Sequence, residues 1–307
     1  MGPAWRHGAT GRADVAREVS VAGWRSFVAV GDSFTEGLDD RHPSGSGYRG
    51  WADLVAGALA ARAAAGGAGD AFRYANLAIR GRLFPRVVAE QVPPALAMRA
   101  DLVSFAAGGN DVLRRGFDAS AMVAHFDATV GELRAGGADV VLFRFADLTA
   151  RLPGQRVIGP RVALLNRAVG ETAQRHGATL VDLWADGEFA NPALWSLDRL
   201  HLSSAGHLRV AAHVLTALGV APDQAWWQVP IRPLSRSWAT ARAADLTWVG
   251  RHLVPWTVRR LTGRSSGDRV TAKRPHLATL EIMVEGGAAG RDAAGRDAAG
   301  EGDTAMA

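Results

Sequence analysis

The stretch Phe27–Leu38 reads FVAVGDSFTEGL. Four apolar residues run into Gly31, Asp32 and Ser33. A short run that is apolar on both faces and closed by turn residues suits a buried strand of a parallel sheet. A serine just past a strand is ordinarily a helix N-cap. This one also stands where open α/β sheets keep their ligand crevice, at the C-terminal end of a strand. The fold turns on whether the pattern recurs.

It recurs four times, as FRYANLAI from 72, DLVSFAAG from 101, DVVLFRF from 139 and TLVDLW from 179. Helical patterns lie between, such as WADLVAGALAARAAAG, AMVAHFDATVGELRAGG and PRVALLNRAVGETAQRHG, and SSAGHLRVAAHVLTALG follows the last strand. Several end in glycine, a common stop signal. Five strands alternating with five helical segments predict a doubly wound α/β/α sandwich around a five-stranded parallel sheet.

The chain has 307 residues, 48% of them hydrophobic, enough for one sizeable α/β domain and an appendage. There is no cysteine, which rules out disulfides, thiolate zinc sites and a cysteine nucleophile. The opening MGPAWRHGATGRADVAREVS holds no apolar run long enough for a signal peptide. No segment approaches the roughly 18 apolar residues of a membrane span. A cytoplasmic location is the expectation.

The organisation reads as an N-terminal segment (1–24), a main domain (25–220), a basic extension (221–277) and a low-complexity tail (278–307). The net charge of +5 is concentrated in the extension, where residues 231–277 carry 10 basic and 2 acidic side chains. Five of the ten tryptophans fall within 223–262. A short helix around Leu246, Val249, Leu253 and Trp256 would present one apolar face. The tail repeats AAGRD, lacks apolar bulk and is expected to be disordered.

Four stretches fall where the crevice belongs: GDSFTEG, NLAIRG, AAGGNDVLR and SLDRLHLSSAGH. A serine hydroxyl is a poor nucleophile until a base takes its proton. His201 can be that base for Ser33, and Asp198, three residues earlier, can fold back onto the other imidazole nitrogen. A tetrahedral intermediate needs donors for its oxyanion. The N–H groups of Ser33 and Gly81 and the side-chain amide of Asn110 can supply them. Asp32 and Asp111 are read as supporting residues that brace their loops.

This set resembles the SGNH hydrolases, also called the GDSL esterase/lipase family. GDSF is similar to the first block with Ser33 as nucleophile, NLAIRG to the second with Gly81, GGND to the third with Asn110, and DRLH to the fifth with Asp198 and His201. The similarity spans about residues 25–217. It departs from the family at Phe34, Ala78 and Leu202, none of which removes a functional atom. The resemblance implies a flavodoxin-like sandwich and hydrolysis of acyl esters through an acyl-enzyme, without metal or cofactor. The expected activity is that of a serine esterase on a small or medium acyl ester, including a deacetylase of a sugar or metabolite; a lysophospholipase or thioesterase fits the same motifs. A non-catalytic binding module on this scaffold would have no need of the full residue set.

The loop 39–51 is expected to wall the pocket, with Phe34, Leu38, Leu113, Trp195 and Leu197 as candidate apolar lining. Arg80, Arg82, Arg114 and Arg115 read as solvated arginines before an anion-binding ring. For 223–277 the favoured reading is a clamp on the hydrolase domain. A peripheral membrane contact through tryptophan and arginine is the second reading. Nucleic acid is set aside, because no recognisable binding module is present. The sequence leaves the oligomeric state open.

Overall fold

Side chains of β1 (Ser26–Gly31) alternate between two cores, as the period of two in a strand requires. Phe27 and Ala29 face one core, Val28 and Val30 the other, and all four are 1% exposed or less. The first core is closed by α2 (Gly50–Ala65) and α6 (Ser204–Ala217). The second is closed by α3 (Phe84–Ala97), α4 (Ala119–Ala135) and α5 (Gln155–His176). The computed structural model describes residues 23–45, 47–66, 71–147, 155–230, 247, 249–253 and 265–280.

The remaining strands are β2 (Arg73–Asn76), β3 (Leu102–Ala106), β4 (Asp139–Arg144), β5 (Thr179–Asp182) and β6 (Arg274–Thr279). The sheet order is β5-β4-β3-β1-β2-β6. All five expected strands form and pair in parallel, giving the three-layer α/β/α sandwich. The sheet differs from expectation at one edge. β6 comes from the extension and pairs antiparallel with β2, so the sheet is mixed and six-stranded. Pro275 within β6 has no N–H to give, which an edge strand tolerates.

Residues 223–230 of the extension pack on the domain, whereas 247 and 249–251 are exposed. Trp226 lies against the first core, and the Trp227 ring stands 4.8 Å from His213 with the Arg209 guanidinium 5.4 Å from its centroid. Arg209 also donates to Trp227 O at 2.7 Å and pairs with Asp186. A π-helical turn, Val249–Leu253, stands where a short helix was expected; Leu246 and Trp256 lie outside the described residues. So do Trp238, Trp248, residues 1–22 of the N-terminal segment and residues 281–307 of the tail; contrary to the expected disorder, the tail's first residues, Ala278 and Thr279, belong to β6 and pair with β2.

Candidate active site

The chain must turn sharply after β1 to lift Ser33 out of the sheet. Gly31 permits this, because a Cβ there would stand 2.5 Å from Thr35 Oγ1 and 2.6 Å from Ala106 O. The buried amide of Gln91 fixes the turn, accepting from Gly31 N–H and donating to Gly31 O, both at 2.9 Å. Asp32 then caps α1 (Ser33–Glu36), its Oδ1 accepting from Phe34 N–H at 3.0 Å. Ser33 thus opens a one-turn helix at the C-terminal edge of the sheet.

His201 reaches Ser33 from a loop built before α6. Trp195 and Leu202 form an antiparallel bridge, and Ser196 N–H donates to His201 O at 2.8 Å. Inside this loop Asp198 is held on every side. Its Oδ1 accepts from Ser196 Oγ at 2.6 Å and from the N–H groups of Leu200 and His201 at 2.9 Å each. Its Oδ2 lies 2.5 Å from His201 Nδ1. An acceptor there places the ring hydrogen on Nδ1, which leaves Nε2 bare as an acceptor. Nε2 lies 3.0 Å from Ser33 Oγ. The hydroxyl, imidazole and carboxylate therefore form one hydrogen-bonded chain.

The electrostatics follow from burial and these bonds. Burial works against a charge on His201, but the hydrogen bond and charge of Asp198, with Asp39 and Asp32 behind, hold its pKa above 6.5. Burial raises Asp198, yet the hydrogen bond and charge of His201 and the donors around it bring it well below the usual carboxylate range. Asp32 is pushed up to about 6 by burial, which outweighs Phe34 N–H and the nearby imidazole. Asp111 also rises to about 6 through burial, despite the Phe84 N–H it accepts.

Asn110 stands in the turn after β3 and, like Ser33, lines the pocket. Its Nδ2 donates to Asp32 Oδ2 and to Arg82 O, both at 3.0 Å. Gly81 occupies the turn after β2 at φ +70°, a conformation that favours glycine. Asn110 and the Gly81–Arg82 turn are thus tied together, though Gly81 is not among the residues that line the pocket. Asp111 accepts from Phe84 N–H at 2.9 Å and braces the start of α3, as expected of a supporting residue.

The pocket beside Ser33 encloses about 100 Å³. Phe34, Leu38, Leu113 and Trp195 line it as expected, joined by Val112, Phe145, Ala146, Val162 and Leu165. Leu197 points away and is 76% exposed. The loop 39–51 contributes no lining among its described residues; it closes on itself through an Arg41–Tyr48 bridge. Arg80 and Arg82 are engaged in structure, the first with Glu36 and the second with Glu90. Among the described residues, the group best spaced for a cation is Asp39, Asp198 and His201, two of which are already bonded to each other.

Several contributors carry no motif. Glu36 accepts from Arg80 N–H at 2.8 Å and so pins the turn that holds Gly81 to the nucleophile's helix. Gln91 and Asp39 join the site through contacts that sequence spacing does not announce, and Ser196 joins it from the start of SLDRLHLSSAGH. Glu36 had one available signal, since it lies within GDSFTEG.

No curated protein matches the chain. Solved structures do. The chain is similar to LAE5, an alpha/beta hydrolase enzyme from the metagenome of Lake Arreo, Spain, at 22% identity and TM-score 0.53, covering 65% of this chain and 97% of that one. It is similar to TesA at 24% identity and TM-score 0.50, over 63% and 97% of the two chains. It is also similar to Axe2, an acetylxylan esterase from Geobacillus stearothermophilus, at 20% identity and TM-score 0.51, over 67% and 97%. At these identities the likeness is one of fold. The sequence pattern of the GDSL-like Lipase/Acylhydrolase family matches residues 29–209, more than half of the chain and all four motif stretches. The chain therefore belongs to the GDSL-like lipase/acylhydrolase family and is a carboxylic ester hydrolase.

Proposed function

We propose that the protein cleaves acyl esters through a Ser33–His201–Asp198 triad and an acyl-enzyme intermediate. The observation that carries this is the 3.0 Å approach of Ser33 Oγ to His201 Nε2, with Asp198 on the opposite ring nitrogen. Ser33 Oγ attacks the ester carbonyl while its proton passes to Nε2. The N–H groups of Ser33 and Gly81 and the Asn110 amide receive the oxyanion. The imidazolium then protonates the departing alkoxide, and the alcohol leaves. Water repeats the sequence on the acyl-enzyme and releases the acid.

The apolar lining supports an acyl chain longer than acetyl, because Phe145, Val162 and Leu165 offer it carbon and no hydrogen-bond donor. This favours a medium-chain esterase, with lysophospholipase and thioesterase activity as related readings, over a sugar deacetylase. A fluorophosphonate probe tests the nucleophile: wild type labels and Ser33→Ala does not. Labelling that persists in Ser33→Ala removes Ser33 from the role. A p-nitrophenyl series from acetate to octanoate tests the chain length, and best turnover on acetate sinks the medium-chain reading. The membrane reading of 223–277 is tested by flotation on anionic liposomes. Equal flotation of wild type and a Trp238, Trp248 and Trp256 triple serine variant removes it.

A further inference from the structure

Residues 265–280, the described end of the extension and the first residues of the tail, contain Lys273, the sole lysine of the chain. Lys273 Nζ donates to Glu36 O at 2.7 Å, Arg49 O at 2.5 Å and Tyr48 O at 3.2 Å, and pairs with Asp53 Oδ2 at 2.7 Å. Glu36 ends α1, the helix that Ser33 begins. A second route leaves from Asp53. The Tyr74 hydroxyl lies beside that carboxylate and accepts from Asn76 Nδ2, which also donates to Thr35 O, each at 3.0 Å. Both routes end on α1 carbonyls, at Thr35 and Glu36.

A one-turn helix has no stability of its own, so its position must come from tertiary ties. An ammonium withdrawn from water is costly unless it is paired and hydrogen-bonded, and this one is 21% exposed and has both. Ammonium geometry also suits the task. Three rotatable hydrogens on a point charge can serve carbonyls converging from three directions, which a planar guanidinium cannot.

We propose that Lys273 is a positioning residue of the hydrolase: by holding the end of α1 it keeps Ser33 Oγ within proton-transfer reach of His201. It touches no substrate. The proposal rests on reading Ser33 as the nucleophile.

The test uses the full chain. With no native cysteine, Lys273→Cys carries a single thiol, and alkylating it with 2-bromoethylamine restores an ammonium at nearly the original reach. Turnover of p-nitrophenyl butanoate is normalised to sites titrated with fluorophosphonate, and near-UV circular dichroism reports the fold. Lys273→Cys is expected to lose about 10²-fold in kcat and in fluorophosphonate labelling rate, with KM unchanged. Aminoethylation restores both, and iodoacetamide, which adds a neutral amide, does not. Lys273→Arg keeps the charge beside Asp53, so it folds, and it is expected to show the same loss in kcat. Wild-type turnover per titrated site in Lys273→Arg overturns the proposal, as does Lys273→Cys at wild-type turnover before alkylation. In both cases Ser33→Ala remains unlabelled and the triad stands. Labelling that persists in Ser33→Ala takes down the triad and this proposal together.

Discussion

Asn110 Nδ2 donates across 3.0 Å to Asp32 Oδ2, so the proposed oxyanion donor is held by the residue directly before the proposed nucleophile. The same amide nitrogen donates to Arg82 O at 3.0 Å. The first and third motif stretches and the turn at Arg82 are therefore tied together before any substrate arrives, and both Asn110 amide hydrogens are engaged, so one must leave its acceptor to receive the oxyanion.

Asn110→Ala is expected to lower kcat by about 10²–10³-fold. It also leaves the buried Asp32 short of a donor, at a cost of about 1–3 kcal/mol. Steady-state kinetics and a thermal melt on the same preparation check both effects. An unchanged kcat removes Asn110 from the reaction.

Asp198→Asn tests the imidazole. An asparagine amide can donate to Nδ1 and so favour the wrong tautomer; a loss of about 10⁴-fold in kcat is expected. The pH profile adds a sign. His201 must be neutral to act as a base, and its pKa is held above 6.5 chiefly by Asp198 acting against burial. The acid limb of the residual activity should therefore move to lower pH in Asp198→Asn. A limb that stays in place would show that Asp198 does not tune the base.

Burial raises the pKa of Asp32 from 3.8 to about 6. An acid with a raised folded pKa binds more protons folded than unfolded between those values. Its contribution to stability is greatest below pH 4 and falls as pH rises toward 6. The loss amounts to about 3 kcal/mol above pH 6. Asp32→Asn lacks this penalty, so its melting temperature relative to wild type should climb between pH 4 and pH 7. A pH-independent difference counts against the shift.

Ala146 lines the pocket beside Ser33 and is 5% exposed. Ala146→Leu should shorten the accepted chain, cutting octanoate turnover by about tenfold or more while acetate turnover is retained. Equal losses on both esters would point to a disturbed fold.

Gly81→Ala combines a φ of +70° with a Cβ 2.4 Å from Ser265 Oγ. The left-handed backbone alone costs about 1–2 kcal/mol. Gly81→Ala should melt several degrees lower. Ser265→Ala in addition removes that contact but leaves Ser266 Oγ 2.9 Å from the added Cβ and the backbone in its left-handed conformation, so it should recover only part of the loss.

The five parallel strands were legible because each is a short apolar run ended by turn residues, and burial on both faces writes that signal directly. β6 was not. RPHLAT holds one proline, mixed polarity and mostly exposed positions, and only its partner β2 makes it a strand. α3 carries Pro93 and Pro94 inside it, yet Val92 and Ala95 are each 1% exposed and the helix runs on to Ala97. The motif residues were legible because each block carries its chemistry within a few positions. The ties between blocks were not: Gln91 to Gly31 spans 60 positions, and Lys273 to Glu36 spans 237. No local pattern encodes such pairs.

The late position of β6 has a consequence for biogenesis. A ribosome adds about 5–20 residues per second, so the stretch between the close of α6 and β6 takes roughly 3–12 seconds to deliver. Throughout that interval the nascent hydrolase has its α6 layer but offers one flank of β2 with bare N–H and C=O groups. Such an edge is a template for another chain. The enzyme seals it with the last strand among its described residues, and slow or interrupted translation past residue 220 leaves it open to self-association.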